Sequence, residues 1–451
     1  MTISEQLAHY ALGYELHSTQ ILEEAQTFFA DTIGCILLGR SQSGQKMFYE
    51  FCLSRPHGQD ASVIRGEKLN LEDAAMVNAM AAHSCDYDDM GVSINGHPSA
   101  IMVSVALAAG EYTHACGKDT LIAYIVGMEC ASMLGKMING HGFNKGWNPT
   151  PTIGVIAAVC AAGRLMSLNA AQLTSAIGIA CGEASGIKAN HGTDVKDLTV
   201  GGAARKAVFS VQMAKAGFSA SRFALEGDDG YFQVVSPQIT AGEAEKIIKA
   251  HRSEFIDPGI VMKPYSTCRG NHNGIDLITK LTREHGLNRD NVNHILVELQ
   301  RDAFNNEKYP IPQTPTEAKF SVAYCIAKVL MHGCVDFDDF HGDVISEREV
   351  YDIIPNVEVK LHDELFDKAR FGASMTVFMK DGRSFSAKSC FAKGDPQNPL
   401  SAEEKRAKLK DCLRKSYDAQ QAQKAELAID ALYNSGDVAQ LMSVLNEVAG
   451  E

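Results

Sequence analysis

Positive charge, aromatic rings and paired cysteines are all scarce in this chain. Lysine and arginine number 42 against 55 aspartates and glutamates, a formal net charge of -13. Binding a phosphate backbone needs a basic stripe, so no nucleic-acid partner is expected. Aromatic residues make up 7% of the chain, with a single tryptophan, Trp147. A cavity that steadies carbocations needs more rings than that. This weighs against a terpene cyclase, although Asp86-Tyr87-Asp88-Asp89 spells the DxDD acid motif of that class. The twelve cysteines include no CxxC pair. In a large chain without a secretory signal they are expected as reduced thiols, with Cys35, Cys130, Cys160 and Cys181 in the core. Zinc-ligand spacing, a P-loop and a GxGxxG opening a helix are all missing, so no zinc site is expected. The N-terminus, MTISEQLAHYALGYE, lacks a basic stretch ahead of an apolar core, which points to a cytoplasmic protein. The apolar runs 101–110 and 153–163 are too short to span a bilayer, so no membrane partner is expected.

The composition that remains, 45% hydrophobic and 22% charged, is that of a globular protein. A chain of 451 residues predicts two or three domains. Apolar residues at helical spacing predict helices over 23–38, 71–82, 100–112, 120–137, 152–166 and 170–181. These segments are rich in Ala, Gly, Met and Cys, which let helices approach closely. Beyond Pro258 the period changes. Segments 293–300 and 356–362 alternate with period two, and 373–380 and 383–390 flank Asp381-Gly382, a hairpin turn signal. Helices are predicted between them at 272–285 and 318–331. From Ser401 the chain reads as helix again, opened by a Ser401/Glu404 capping box. No internal repeat or low-complexity tract is evident. The predicted fold is mainly α with an α+β part. A large all-helical domain, 1–260 completed by 397–451, carries an inserted α+β domain, 261–396, and the cleft between them is the expected ligand site.

Four segments place polar residues in apolar surroundings. In residues 83–99, HSCDYDDMGVSINGHPS, three carboxylates end a helix and His97 opens the next. They could bind a hard cation or cap helices. Orienting His97 for proton transfer suits them better. Residues 141–152, HGFNKGWNPTPT, set Asn148 beside Trp147 and read equally as an anchored loop or a site wall. Residues 185–205, SGIKANHGTDVKDLTVGGAAR, place Thr193 and Lys196 at a turn before a helix. A lysine there that was partly desolvated near other cations would have a lowered pKa and could act as acid or base. Residues 263–273, KPYSTCRGNHN, gather Lys263, Arg269 and His272. A cationic cluster inside an acidic protein points to a small anionic ligand, most simply a carboxylate. Tyr324 lies on an apolar helix, where periodicity alone makes it a core residue with a satisfied hydroxyl.

Taken in order, DTIGCILLG, HSCDYDDM, GHPSA, GWNPTPTIG, GTDVK, GGAAR, KPYSTCRGNHNGID, AKFSVAYCIA and GDPQNPLS resemble the MmgE/PrpD family along most of the chain. The family includes 2-methylcitrate dehydratase, cis-aconitate decarboxylase and iminodisuccinate epimerase. The resemblance implies a helical domain with a smaller lid domain, a homodimer, and a cofactor-independent site between the domains. It implies Asp86, His97, Lys196 and Tyr324 as catalytic residues, and Lys263 as a substrate contact. Arg269, His272, Asn148 and Thr193 are the remaining candidates for binding substrate. The chain departs from the common family pattern at Met90 (often Thr), Asn148 (often His) and Thr199 (His in several members). Asn148 can hydrogen-bond a carboxylate but cannot titrate. The expected chemistry is α-proton transfer on a di- or tricarboxylate. His97 would move the proton with its tautomer set by Asp86, Lys196 or Tyr324 would act opposite, and lysine and arginine would hold the developing charge. A dehydratase or decarboxylase leads. An epimerase of an aminopolycarboxylate such as iminodisuccinate, and a catalytically silent polycarboxylate-binding homologue, are the alternatives.

Overall fold

The computed structural model describes residues 1–139, 146–340, 347–366 and 370–447. It is mainly helical, with small sheets, and divides into two compact units. One comprises Met1–Met262 with Ser401–Glu451, the other Lys263–Leu400.

In the first unit, α1 (Ile3–Gly13), α2 (Thr19–Gly39) and α3 (Ser43–Leu53) are followed by the pair β1 (Ala61–Ser62) and β2 (Lys68–Leu69). Next come α4 (Leu71–Ser84), the two-residue β3 (Met90–Gly91), α5 (Pro98–Thr113), α6 (Gly117–Asn139), α7 (Pro149–Leu165), α8 (Ala170–Glu183) and α9 (Asp194–Lys215). Two shorter helices, α10 (Tyr231–Val235) and α11 (Ala241–Lys249), lead to β4 (Ile260–Val261), which pairs antiparallel with β3. These strand pairs correct the expectation of an all-helical domain. Each is only two residues long, below the length at which alternation is visible in a sequence. Helices α4, α5, α6 and α7 are buried over most of their length. Small residues make that possible, because a helix packed on every side has no room for long side chains. Cys181, predicted as core, is only half-buried, near the end of α8.

α6 corrects the reading of apolar runs. By length and composition it could cross a membrane, but 94% of its apolar window is buried inside the protein. It packs on α5, α7, α2 and α11 as a core helix. The uninterrupted runs are short because Glu129 and Lys136 punctuate the helix.

The second unit opens with α12 (Arg269–His285), three residues earlier than the periodicity predicts, and continues with β5 (Val292–Leu299). α13 (Arg301–Phe304), α14 (Pro315–Ala318), α15 (Val322–His332) and α16 (Arg348–Ile353) precede β6 (Val357–Leu361), β7 (Ala373–Met379) and β8 (Ser384–Ser389). The sheet order is β6-β5-β7-β8. β5 lies parallel to β6 with Val297 opposite Val359, and antiparallel to β7 with Val297 opposite Met375. The β7–β8 hairpin turns at Gly382, whose φ of 88° an ordinary side chain rarely adopts. Ile295, Val297, Met375 and Val377 form one core with Ile275, Ile278 and Leu281 of α12 and with Tyr324 and Ile326 of α15.

The chain then re-enters the first unit through α17 (Ala402–Ser416), α18 (Ala419–Asp430) and α19 (Ala439–Asn446). Ser401 and Glu404 cap α17 reciprocally. α17 is fastened to α2 by a buried ion pair, Lys408 Nζ to Asp31 Oδ1 at 2.8 Å. Burial alone would lower the Lys408 pKa, but Asp31 beside it raises it and keeps the ammonium charged.

Candidate active site

The site grows from the end of α4. His83 occupies its last turn, and Asp86 follows with a φ of 51°, in the left-handed region. Its amide donates to the His83 carbonyl at 3.0 Å, as a residue closing a helix does. Glycine or asparagine usually fills that position, and aspartate is among the few others that tolerate it. All four residues of the DYDD string are buried, and each meets different partners.

The three carboxylates therefore have three different surroundings. Asp86 Oδ1 accepts from Lys196 Nζ at 3.0 Å, joining the end of α4 to α9. Asp88 Oδ2 accepts from His83 Nδ1 at 2.8 Å, and its Oδ1 lies 3.5 Å from Nδ1 of His97. Asp89 accepts a hydrogen bond from the Ser99 hydroxyl, itself 2.8 Å from the Tyr124 hydroxyl. Burial raises the Asp89 carboxyl to about 8, with Asp88 adding to the rise against the Ser99 hydrogen bond, so it is mostly protonated near neutrality. The Tyr87 ring lies beneath Lys408, 3.9 Å from its Nζ, and its carbonyl accepts from that ammonium at 2.8 Å.

His97 is held at the start of α5 by what surrounds residues 91–96. Its amide donates to Thr150 Oγ1 at 3.0 Å. Glu254, which is fully buried, accepts from the Ser93 amide at 2.9 Å and from Ser132 Oγ at 2.7 Å. Asn139 Nδ2 donates to the Ser93 and Ile94 carbonyls, both at 2.8 Å. A Cβ on Gly96 would sit 2.8 Å from Thr150 Oγ1, so only glycine allows this approach. The His97 side chain is 17% exposed, whereas His83 is 1% exposed, and their rings lie 4.7 Å apart. His97 is thus the imidazole a small molecule can reach.

Two expectations about roles change. Asp88, not Asp86, is the carboxylate at Nδ1 of His97. Lys196 stands among carboxylates rather than cations. Burial alone would push its ammonium down, but Asp86, with Asp197 and Asp88 behind it, more than offsets that and holds the pKa above the usual lysine value. Its ammonium stays charged near neutrality.

Asn148 is the N-cap of α7. Its Oδ1 accepts from the Thr150 amide at 3.2 Å, and its amide donates to Gly186 at 3.1 Å. Through Thr150 it connects to the His97 amide. The neighbouring residues 141–145 lie outside the described residues. Thr193 is the N-cap of α9, exposed, with its hydroxyl donated to the Asn190 carbonyl at 2.9 Å.

In the second unit the segment 263–273 folds onto its own surroundings. The Cys268 amide and Thr267 Oγ1 donate to the Lys319 carbonyl at 2.9 and 2.7 Å. Asn271 Nδ2 reaches Thr267 Oγ1 and the same carbonyl at 2.7 and 3.0 Å. His272 Nε2 lies 3.2 Å from the Thr267 carbonyl. Arg269 grips Asp395 in a forked pair, with Nε 3.0 Å from Oδ1. The Tyr265 hydroxyl donates to Asp276 at 2.7 Å. Lys263 is fully buried. Tyr324 is also buried and donates to the Asp339 carbonyl at 2.7 Å. Burial, then the Asp339 charge, push its hydroxyl well above the usual tyrosine range, so it keeps its proton.

Ligand atoms of His83, Asp86, Asp88 and His97 all lie within 4.8 Å of one another, a spacing that admits a divalent cation. The donor types would suit zinc or iron. Two features of the site oppose that use: Lys196 already sets a positive charge on Asp86, and His83 is hydrogen-bonded to Asp88.

The MmgE/PrpD N-terminal domain matches residues 5–243, and the MmgE/PrpD C-terminal domain matches residues 265–434. The chain belongs to the MmgE/PrpD family. Among its relatives is a cis-aconitate decarboxylase-like protein, oryM, of Aspergillus oryzae, 25% identical, covering 94% of this chain and 93% of the relative. The cis-aconitate decarboxylase of Aspergillus terreus is 28% identical over 81% of this chain and 79% of its own length. The human cis-aconitate decarboxylase is 23% identical over 91% and 87%. At the three departures from the family pattern, Met90 is buried in β3, Thr199 Oγ1 donates to the Lys196 carbonyl at 2.8 Å, and Asn148 caps α7. The pairing of His83 with Asp88 is not evident from the string. Its one trace there is a histidine in the last turn of an Ala- and Met-rich helix, five residues before an aspartate.

Proposed function

We propose that the protein is a lyase acting on a small polycarboxylate, with decarboxylation of a cis-aconitate-like acid as the leading reaction. One observation carries this reading. A reachable imidazole backed by the buried Asp88 belongs to the same cluster as an ammonium held charged by Asp86. Similarity to several cis-aconitate decarboxylases supports the same chemistry.

When CO2 leaves a β,γ-unsaturated acid, the electron pair of the broken C–C bond shifts through the double bond, and a carbon must take up a proton. His97 delivers that proton from its Nε2 side while Asp88 stabilises the imidazolium. Lys196 offsets the negative charge that grows on the substrate's oxygens. Written this way, the reaction needs no electron acceptor. The resemblance implies Lys263 as a substrate contact and Tyr324 as a further catalytic residue, while Arg269, which also holds Asp395, and His272, Asn148 and Thr193 are the remaining candidates for binding substrate. A homodimer is part of the proposal and is checked by light scattering on the eluting protein.

The test is a panel of cis-aconitate, 2-methylcitrate and iminodisuccinate in D2O, followed by NMR. Loss of CO2 with one deuteron entering carbon supports decarboxylation. Loss of water makes the protein a dehydratase, and deuterium exchange with inversion makes it an epimerase. Binding with neither turnover nor exchange would leave a silent homologue and overturn the lyase reading.

A further inference from the structure

We propose that His83 is a positioning residue for His97, acting through Asp88. This rests on the reading of His97 as the proton-transfer group. His83 cannot touch a substrate, since its side chain is 1% exposed. Its Nδ1 donates to Asp88 Oδ2 at 2.8 Å, and the other oxygen of the same carboxylate faces His97 Nδ1 at 3.5 Å. The two rings pack against each other with an interplanar angle of 59°.

A carboxylate bonded through one oxygen can rotate about its Cβ–Cγ bond. Tethering Oδ2 to an imidazole on a helix stops that rotation and fixes where Oδ1 points. An acceptor oxygen, Oδ1, beside His97 Nδ1 favours the tautomer with the proton on Nδ1. Nε2, on the opposite edge of the ring, is then left to exchange protons with substrate. Asp86, between His83 and Asp88 in the chain, takes a left-handed φ of 51° just after α4. A buried carboxylate also needs a hydrogen-bonded partner to be tolerated. A purely structural histidine would meet that need alone, so the test must separate the two roles.

The measurements use the full-length protein and its His83→Ala, His83→Asn and Asp88→Asn variants. In His83→Asn the side-chain amide can still donate to Asp88 Oδ2. With cis-aconitate as substrate, His83→Ala is expected to lower kcat about 10- to 100-fold with KM unchanged. That is less than the roughly 10²–10⁴-fold attributed to a proton-transfer group itself. His83→Asn should recover activity to within a few-fold of wild type. Unchanged kcat per folded molecule in His83→Ala, or an equal loss in both variants, would overturn the proposal.

A further readout needs no substrate. In ¹⁵N-histidine-labelled wild type, His97 should be the Nδ1–H tautomer, and His83→Ala and Asp88→Asn should shift it toward Nε2–H. The same tautomer in all of them would overturn the assignment. If wild type turned over nothing in the panel, the lyase reading would fall, while the tautomer comparison would still decide this one. Stoichiometric zinc in the purified protein, lost in His83→Ala, would replace the positioning role with a metal site.

Discussion

As strings, residues 83–99 of the first unit and residues 263–273 of the other unit are alike. Both crowd histidine, cysteine, tyrosine and carboxylate or cationic groups around glycine and proline. In the structure they do different things. Segment 83–99 spreads its carboxylates among Lys196, two histidines and Ser99, and leaves the His97 ring partly exposed. Segment 263–273 turns its side chains on the Lys319 carbonyl, on Asp395 and on Asp276, binding the start of α12 to the approach of α15 and to the segment after β8. Density of polar residues therefore does not fix what those residues meet. The partners of 263–273 include a backbone carbonyl and buried counter-ions, whereas 83–99 also pairs titratable side chains beside a partly exposed imidazole.

The largest effect that tests this contrast is at His97. His97→Gln should reduce turnover of the cognate polycarboxylate by about 10²–10⁴-fold with the circular dichroism spectrum unchanged. Full activity would remove segment 83–99 from the chemistry. Arg269→Met should act on stability instead. It leaves Asp395 buried without its cation, a change worth about 3–5 kcal/mol, measurable by urea unfolding. A tenfold rise in KM without a loss of stability would break the contrast and return Arg269 to the substrate. Lys196→Met combines both kinds of effect. It strands Asp86, costing a similar amount of stability, and also lowers kcat, whereas loss of stability alone would make Lys196 structural.

Asp89 gives a smaller effect with a defined pH dependence. In the folded protein its carboxyl keeps its proton up to about pH 8. In the unfolded chain it ionises near 4. Between those limits the folded form binds more protons, so this group destabilises the fold increasingly as pH rises from about 4 to about 8. Asp89→Asn removes the titration. Its stability relative to wild type should improve between pH 5 and pH 8 by on the order of a few kcal/mol, as read from urea midpoints. A difference that does not change with pH would mean that Asp89 is ionised across that range in the folded protein. The smallest effect is expected at Asn148, where Asn148→Ala removes the cap of α7 and should cost about 1 kcal/mol in thermal unfolding. A loss of activity far beyond that would give Asn148 a part in the chemistry.

Much of this is legible in the chain. The helices of the first unit show their periodicity, β7 and β8 show theirs around Asp381-Gly382, and the Ser401/Glu404 box appears as predicted. The site is legible as a set of segments but not as a set of pairs. Asp86 and Asp88 are equivalent in the string, and only the folded structure shows that one meets Lys196 and the other the histidines. The Lys196 pKa rises where a fall is expected, because the sequence shows Asp197 beside the lysine but not that Asp86 and Asp88 lie against it.

The sequence by itself determined the helical repeat, the change of period after Pro258, the caps and the family. Each of these is written in residues close together along the chain, or in motif order. Tertiary structure alone decided which carboxylate faces which base, which histidine is reachable, and that Arg269 holds Asp395. Electrostatic partners are chosen by distances of a few ångströms between residues as far apart as Asp86 and Lys196. A single rotation at Asp86 changes those distances without changing a letter of the sequence.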